Sequence, residues 1–452
     1  MTDRDPDDFS AFAEMFENAS REERSGGRIP VDPSVRARRR RRSRITSLIV
    51  VGAIVAAIAV YVPLTLTAPV GAAAATTHRP DVKSPAASVL AMPPEGESAV
   101  SVSGADTYLG SGASGILASS GGDDPVPMAS ISKLITAMVI LKAKPLSSAT
   151  AAGPTITFDK ADHALYDKYY LLNATIAAMP TGSSMSEHDA LETMLVVSAC
   201  NYSEAMADWA FGSSSGFLSA AKKWLAANGM THTTMVESTG IDPRNRSTPS
   251  DLITLGKLAM ASPAIAAIVE KTSLDIPFLT GMPSTNSLLG KYGVDGIKTG
   301  TLDDYGADLL FSASVAVTGI TTPLTVVGVV LGGATRETVN TDVEHLIDSL
   351  RAGFHDVPVA VKGQVVGTYT TPWGAHARMV LGSSASVFTY SDARITSTMT
   401  TTTLKIGKDG EKVGRVTWTA GTSTVTVPVV LDGSITPPTA WWRLTHPQDL
   451  GR

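Results

Sequence analysis

Between Arg44 and Arg79 the chain carries no Asp, Glu, Lys or Arg, and Ile45 to Leu66 within that gap is almost wholly apolar. Immediately before it stands Arg36-Ala37-Arg38-Arg39-Arg40-Arg41-Arg42-Ser43-Arg44. A helix of roughly 20 apolar residues spans the hydrocarbon of a bilayer, and arginines flanking one end hold that end in the cytoplasm. This pattern predicts a transmembrane anchor over residues 45–66, a polybasic cytoplasmic end over 1–44 without a fixed fold, and a body outside the membrane. Ala72-Ala73-Ala74-Ala75 offers small residues for a cleaved leader, but 44 residues ahead of the apolar run is long for one, so an uncleaved anchor is preferred. Taken alone, the arginine run could mark a nucleic-acid patch. The net charge of −5 argues against nucleic acid as a partner, and the abutting apolar span makes topology the better account. Farther upstream, Phe9, Phe12 and Phe16 fall at helical spacing in a segment that is as readily disordered.

At 452 residues the chain exceeds one ordinary core, so several folded units are expected. Residues 67–85, rich in Ala, Pro and Thr, have the composition of a linker. From Ala86 the pattern turns globular, with short candidate strands at Ala99–Ser103 and Gly115–Ala118 ahead of an apolar helix starting near Ser130. Ser186-Glu187-His188-Asp189 opens another helix with a start like a capping box, running toward Ser198, and helical spacing continues to Ala227. Val294–Thr301, Ala307–Val315 and Pro323–Val330 then read as strands, and Val343, Leu346, Ile347 and Leu350 mark one face of a closing helix. Strands at both ends with helices between predict an α/β (α+β) body over 86–355, a mixed and mainly antiparallel sheet with a helical subdomain. Over 356–452 the segments Val359–Tyr369, Thr400–Ile406, Val413–Thr419 and Thr424–Leu431 predict a small C-terminal β-domain. Trp441-Trp442-Arg443 could touch membrane or wall, burial against the β-domain being the commoner outcome for such a pair. The single cysteine, Cys200, permits no internal disulfide, so stability rests on packing.

Ser130-Ile131-Ser132-Lys133 puts a hydroxyl and an amine on one face of a helix start. By itself that is a helix cap and a solvated lysine. Two further elements change its weight: Ser198 at a helix end in Ser198-Ala199-Cys200-Asn201, and Lys298-Thr299-Gly300 on a strand. Cleaving an amide through an acyl-enzyme calls for a hydroxyl nucleophile, a base for its proton, oxyanion donors and a grip on the substrate. Ser130 suits the attack. Lys133 suits the base if burial and a second ammonium such as Lys298 keep it neutral. Ser198 can relay a proton to the leaving amine, and Lys298 and Thr299 suit a terminal carboxylate.

The ordered set Ser-x-x-Lys, Ser198 and Lys-Thr-Gly resembles the penicillin-binding proteins and serine β-lactamases, whose second motif is Ser-x-Asn. Pro127-Met128-Ala129-Ser130, Ser247-Thr248-Pro249-Ser250-Asp251-Leu252, Asn286-Ser287-Leu288-Leu289 and Gly293-Val294-Asp295-Gly296-Ile297-Lys298-Thr299-Gly300 resemble the D-alanyl-D-alanine carboxypeptidase family of low-molecular-mass penicillin-binding proteins, over roughly Ala86 to Phe354. The resemblance implies the penicillin-binding/β-lactamase-like transpeptidase fold and a serine-type carboxypeptidase that removes the terminal D-Ala of peptidoglycan stem peptides through an acyl-enzyme on Ser130. It further implies the backbone N–H groups of Ser130 and Thr301 as oxyanion donors. Cys200, Asn201, Lys298, Thr299, Gly300 and Thr301 become the substrate-binding set. No cofactor or metal is called for, and β-lactams are expected to acylate Ser130. With the N-terminal helix in the cell membrane, the catalytic domain faces the wall.

Cys200 departs from the pattern, because a thiol is a weak hydrogen-bond partner where the family's asparagine amide both donates and accepts. Asn201 either compensates or matches a second family asparagine, and a buried, inert Cys200 stays equally open. The alternative function is therefore a catalytically impaired penicillin-binding homologue serving as a wall-binding or scaffold protein. A DD-endopeptidase acting on cross-links is the enzymatic alternative. Gly212-Ser213-Ser214-Ser215-Gly216 lacks the preceding strand of a nucleophile elbow and reads as a turn. The eight histidines show no metal-binding pair, and Glu204, Glu237 and Glu270 lack the surroundings of a water-activating glutamate.

Overall fold

The computed structural model describes residues 32–277 and 279–451. The Phe9, Phe12 and Phe16 pattern lies outside those residues. Asp32 caps α1 (Pro33–Thr67), a helix that carries both the arginines and the apolar run, and Pro63 near its end is tolerated within it. Its apolar side chains, Leu48, Ile49 and Val60 among them, are exposed along its length, and the helix is long and apolar enough to cross a bilayer. The chain then enters β1 (Ala74–Thr77) rather than running as a bare linker, because β1 pairs antiparallel with a strand some 290 residues later, Ala74 facing Thr370. Composition could not reveal this, since an edge strand of Ala and Thr needs only a partner's backbone.

The body is built on five antiparallel strands. β2 (Glu97–Ser103) and β3 (Ala118–Ser120) precede the helices, and β4 (Val294–Leu302), β5 (Gly306–Val315) and β6 (Leu324–Gly333) follow them. Their order in the sheet is β4-β5-β6-β2-β3. Both faces are covered, so the strands are apolar at successive positions rather than alternate ones. In β5, Leu310 joins the core on one face while Leu309 and Phe311 join the core on the other. The first face carries α2 (Ser132–Ala143), α3 (Lys160–Leu171), α4 (Glu187–Val196), α5 (Cys200–Phe211), α6 (Ser214–Ala227), α7 (Pro249–Ala261) and α8 (Pro263–Val269). Caps set several boundaries: the Ser186 hydroxyl accepts from Asp189 N, and in the serine-rich turn Gly212 closes α5 in a left-handed conformation while Ser213 opens α6 by accepting from Gly216 N. The second face is closed by α9 (Arg336–Ala352), through Val343, Leu346, Ile347 and Leu350.

β7 (Phe354–Ala360) pairs with β10 (Ala385–Tyr390), and β8 (Val365–Thr370), β9 (His376–Leu381), β11 (Ile395–Thr401), β12 (Lys412–Ala420) and β13 (Ser423–Asp432) form a second sheet in the order β1-β8-β9-β13-β12-β11. The stretch Val359–Tyr369 is thus two strands, split by a turn at Lys362 and Gly363. β12 alternates Val416, Trp418 and Ala420 inward with Thr417 and Thr419 outward, around a separate apolar core. A short helix, α10 (Ala440–Thr445), follows, and in it Trp441 is 75% exposed rather than buried.

Gly256 lets α7 lie close on the sheet under the Lys-Thr-Gly strand: a Cβ there would stand 2.7 Å from Val327 Cγ1 and 3.3 Å from Ile297 Cδ1. Gly256→Leu is therefore expected to destabilise the body by about 1–3 kcal/mol or more, overpacking outweighing any gain in helix propensity. A thermal midpoint equal to the wild type's would contradict this packing.

Candidate active site

Ser130 occupies a single 3₁₀ turn, Ala129–Ile131, that delivers the chain into α2. Ala129 has φ 43°, a left-handed conformation costly for a residue with a Cβ and held by the packing around it. One turn on, Lys133 is fully buried, with Nζ 2.8 Å from Ser130 Oγ and donating to the Thr239 carbonyl at 2.8 Å. The solvated lysine of an isolated Ser-x-x-Lys is not what this chain contains.

Ser198 sits between α4 and α5 with φ 69°, again left-handed, and Lys298 Nζ on β4 donates to its Oγ at 2.9 Å and to the Thr299 carbonyl at 2.9 Å. Lys298 is 1% exposed. Burial holds its ammonium well below the usual lysine range, and the charges of Lys133 and Arg336 push the same way, against a smaller pull from Cys200. Thr299 Oγ1 donates to Thr285 Oγ1 at 2.6 Å. Gly300 allows β4 to cross directly over Ala129: a Cβ there would be 2.9 Å from the Ala129 Cβ and 3.0 Å from Asp308 Oδ2. Thr301 Oγ1 donates to the Gly300 carbonyl at 2.6 Å.

Ser130, Ser198, Cys200 and Thr301 line one cavity of about 260 Å³, closed on its other sides by Leu172–Thr175, Gly240, Ile241, Leu302, Asp303 and Arg336. A larger recess of about 610 Å³ along α6, lined by Leu218, Lys222, Met230 and Met235, holds none of the motif residues. Asn201 does not line that cavity. It is fully buried, its Oδ1 accepts from Ala177 N and its Nδ2 donates to the Ala177 carbonyl, so the amide is spent on holding that loop to α5. Cys200 is the residue placed at the cavity.

Two groups carry no signal in the linear motifs. Arg336, at the start of α9, donates from Nε to Thr301 Oγ1 at 2.9 Å and brings a permanent cation to the cavity wall. Glu237 is not free to activate water, because its carboxylate accepts from Thr239 N at 2.5 Å, Gly240 N at 2.6 Å and Asn245 Nδ2 at 2.9 Å. It thereby shapes the loop whose Thr239 carbonyl meets Lys133. Glu204 is likewise engaged, by Lys168 Nζ at 2.5 Å and by the Tyr169 hydroxyl. His188, Asp189 and Glu192 gather ligand atoms within 4.8 Å, but Lys271 Nζ already lies 2.7 Å from Glu192 Oε2 and supplies the cation.

The model of the family described as D-alanyl-D-alanine carboxypeptidase matches residues 101–335, more than half of the chain. The protein belongs to this family. A D-alanyl-D-alanine endopeptidase of Pseudomonas aeruginosa is 28% identical over 208 residues, covering 44% of this chain and 63% of the relative, so the chain spans less than two thirds of that relative's length. The crystal structure of penicillin binding protein 6B from Escherichia coli superposes with a TM-score of 0.51 at 18% identity, over 78% of this chain and 98% of that one. Penicillin binding protein 5 from Haemophilus influenzae gives 0.49 at 17% identity, over 80% and 100%. The fold of this carboxypeptidase family member is the penicillin-binding/DD-transpeptidase fold.

Asp308, which pairs with Gly300 across β4 and β5, tests how the strand is held. Burial pushes its carboxyl up to about 7, against the opposing hydrogen bond from Gly332 N. The folded state then keeps a proton that the unfolded chain releases above its ordinary value of 3.8, so stability falls as pH rises from about 4 to about 7 and is level above. Asp308→Asn cannot ionise. Its thermal midpoint relative to the wild type is expected to climb across that window, and a difference that stays constant would show that Asp308 does not titrate there.

Proposed function

We propose that the protein is a serine DD-peptidase anchored in the cell membrane by α1, with the arginines in the cytoplasm, that removes the terminal D-Ala from peptidoglycan stem peptides. The observation that carries the reading is the buried Lys133 Nζ 2.8 Å from Ser130 Oγ, Ser130 lining one cavity with Ser198, to which the buried Lys298 donates.

In this reading Ser130 Oγ attacks the carbonyl carbon while its proton passes to Lys133 Nζ, and the carbonyl electrons move to an oxygen held by the N–H groups of Ser130 and Thr301. Collapse breaks the C–N bond as the proton taken up by Lys133 returns, through Ser198, to the leaving amine. Water then attacks the ester on Ser130, giving a proton to Lys133, and the ester C–O bond breaks as that proton returns to Ser130 Oγ and the shortened peptide leaves. The substrate's terminal carboxylate goes to Arg336 and Thr301 rather than to Lys298, whose burial favours its neutral form and whose donors are already on Ser198 and Thr299. β-Lactams enter as covalent inhibitors, presenting a reactive amide beside a carboxylate. No cofactor or metal takes part in these steps.

Cys200 at the cavity supports a second reading, a penicillin-binding homologue impaired in turnover that serves as a wall-binding scaffold. The endopeptidase relative keeps cross-linked peptides in the comparison.

Fluorescent penicillin is expected to label the wild type and not Ser130→Ala, and the wild type to release D-Ala from a D-Ala-D-Ala peptide faster than it opens cross-linked dimers. Labelling that survives Ser130→Ala removes the mechanism. Cys200→Asn is expected to raise kcat/KM by about tenfold, the worth of one hydrogen bond near 1.4 kcal/mol. A far larger gain from a barely active wild type would favour the scaffold reading.

A further inference from the structure

The C-terminal helix α10 lies against the outer end of α1, although almost the whole protein separates them in sequence. Tyr61 within the apolar run donates its hydroxyl to the Leu444 carbonyl at 2.6 Å. Arg443 donates to the Ala68 carbonyl at 2.6 Å, just past the end of α1. The next residues continue the contact: Val70 bridges Leu450 in an antiparallel pair and Gly451 N donates to the Pro69 carbonyl at 2.8 Å. On its other side α10 is bolted to the second sheet's domain, where Trp442 meets the Trp373 ring edge-on with centroids 5.9 Å apart.

This docking sets a depth. At about 1.5 Å per residue, Tyr61 is roughly 24 Å beyond Ile45 and Leu66 roughly 32 Å beyond it. With a hydrocarbon layer about 30 Å thick, the Tyr61 contact falls just inside the outer boundary and the Arg443 contact just outside. Trp441 lies one helical turn from Leu444 on the same side of α10, and it is 75% exposed. Leu64, one turn from Tyr61 on α1, is 67% exposed, so both helices present apolar surface near the place where Tyr61 joins them. An indole, apolar in body with one N–H to satisfy, is most favourable at such a boundary.

We propose that α10 is a collar around the outer end of α1 and that Trp441 sits in the outer leaflet's interfacial layer, so that lipid is the partner of this surface. The membrane then touches the chain at two places far apart in sequence, and the second sheet's domain is fixed at the bilayer surface by both β1 and α10. The inference rests on α1 spanning the membrane.

The test uses the full-length protein in phosphatidylcholine–phosphatidylglycerol vesicles whose acyl chains are brominated either near the glycerol or near the methyl end. Bromine near the glycerol is expected to quench part of the tryptophan emission, more than bromine near the methyl end does, and Trp441→Ala is expected to remove that extra loss while Trp209→Phe, in the body, leaves it. Flotation after an alkaline carbonate wash reads α1 separately. A chain that stays with the vesicles but shows equal quenching with and without Trp441 overturns the lipid contact and leaves the anchor standing. A chain that washes off overturns both.

Discussion

Two lysine side chains withdrawn from water, Lys133 and Lys298, each bond to a serine, Ser130 and Ser198, and both serines line the same cavity. Each buried ammonium costs several kcal/mol in lost hydration, and like charges so near one another add to that cost. The structure offsets part of the cost with fixed acceptors, the carbonyls of Thr239 and Thr299 and the hydroxyls of Ser130 and Ser198, and Lys298 is shifted toward its neutral form.

Holding that arrangement requires close approaches that only certain residues allow. β4 can pass over the Ser130 turn because position 300 is a glycine, and Ser198 is turned toward Lys298 by a left-handed backbone between two helices. Strain of about 1–3 kcal/mol at such a residue persists only where its surroundings over-determine it. Here those surroundings are a sheet buried on both faces and the helices packed on it. Glu237 and Asn245 do the same for the loop facing Lys133: the Glu237 carboxylate accepts from Thr239 N and Gly240 N, and Asn245 Oδ1 accepts from Val236 N.

The C-terminal end of α1 meets α10, and Val70, just past that end, bridges Leu450. The stretch after α1 and the C-terminal residues therefore lie side by side. The site and the domain that holds α10 have separate cores, one around the five-stranded sheet and one around Trp418.

The local patterns determined a good deal. The charge-free run of α1, the alternation of β12 and the Ser186 cap follow from rules that act over a few residues, and those rules are readable in linear order. Ser130, Lys133, Ser198 and Lys298 stood out in linear order because few residue types suit acyl transfer, and the fold pairs them as Lys133 with Ser130 and Lys298 with Ser198. Long-range packing decided the rest. Asn201 was drawn away from the cavity by the backbone of Ala177, Arg336 reached it from a helix with no motif, β1 turned a linker into an edge strand, and Trp441 stayed exposed beside α1. None of these has a local signal, because the partner that determines each one lies 24 to 383 residues away along the chain.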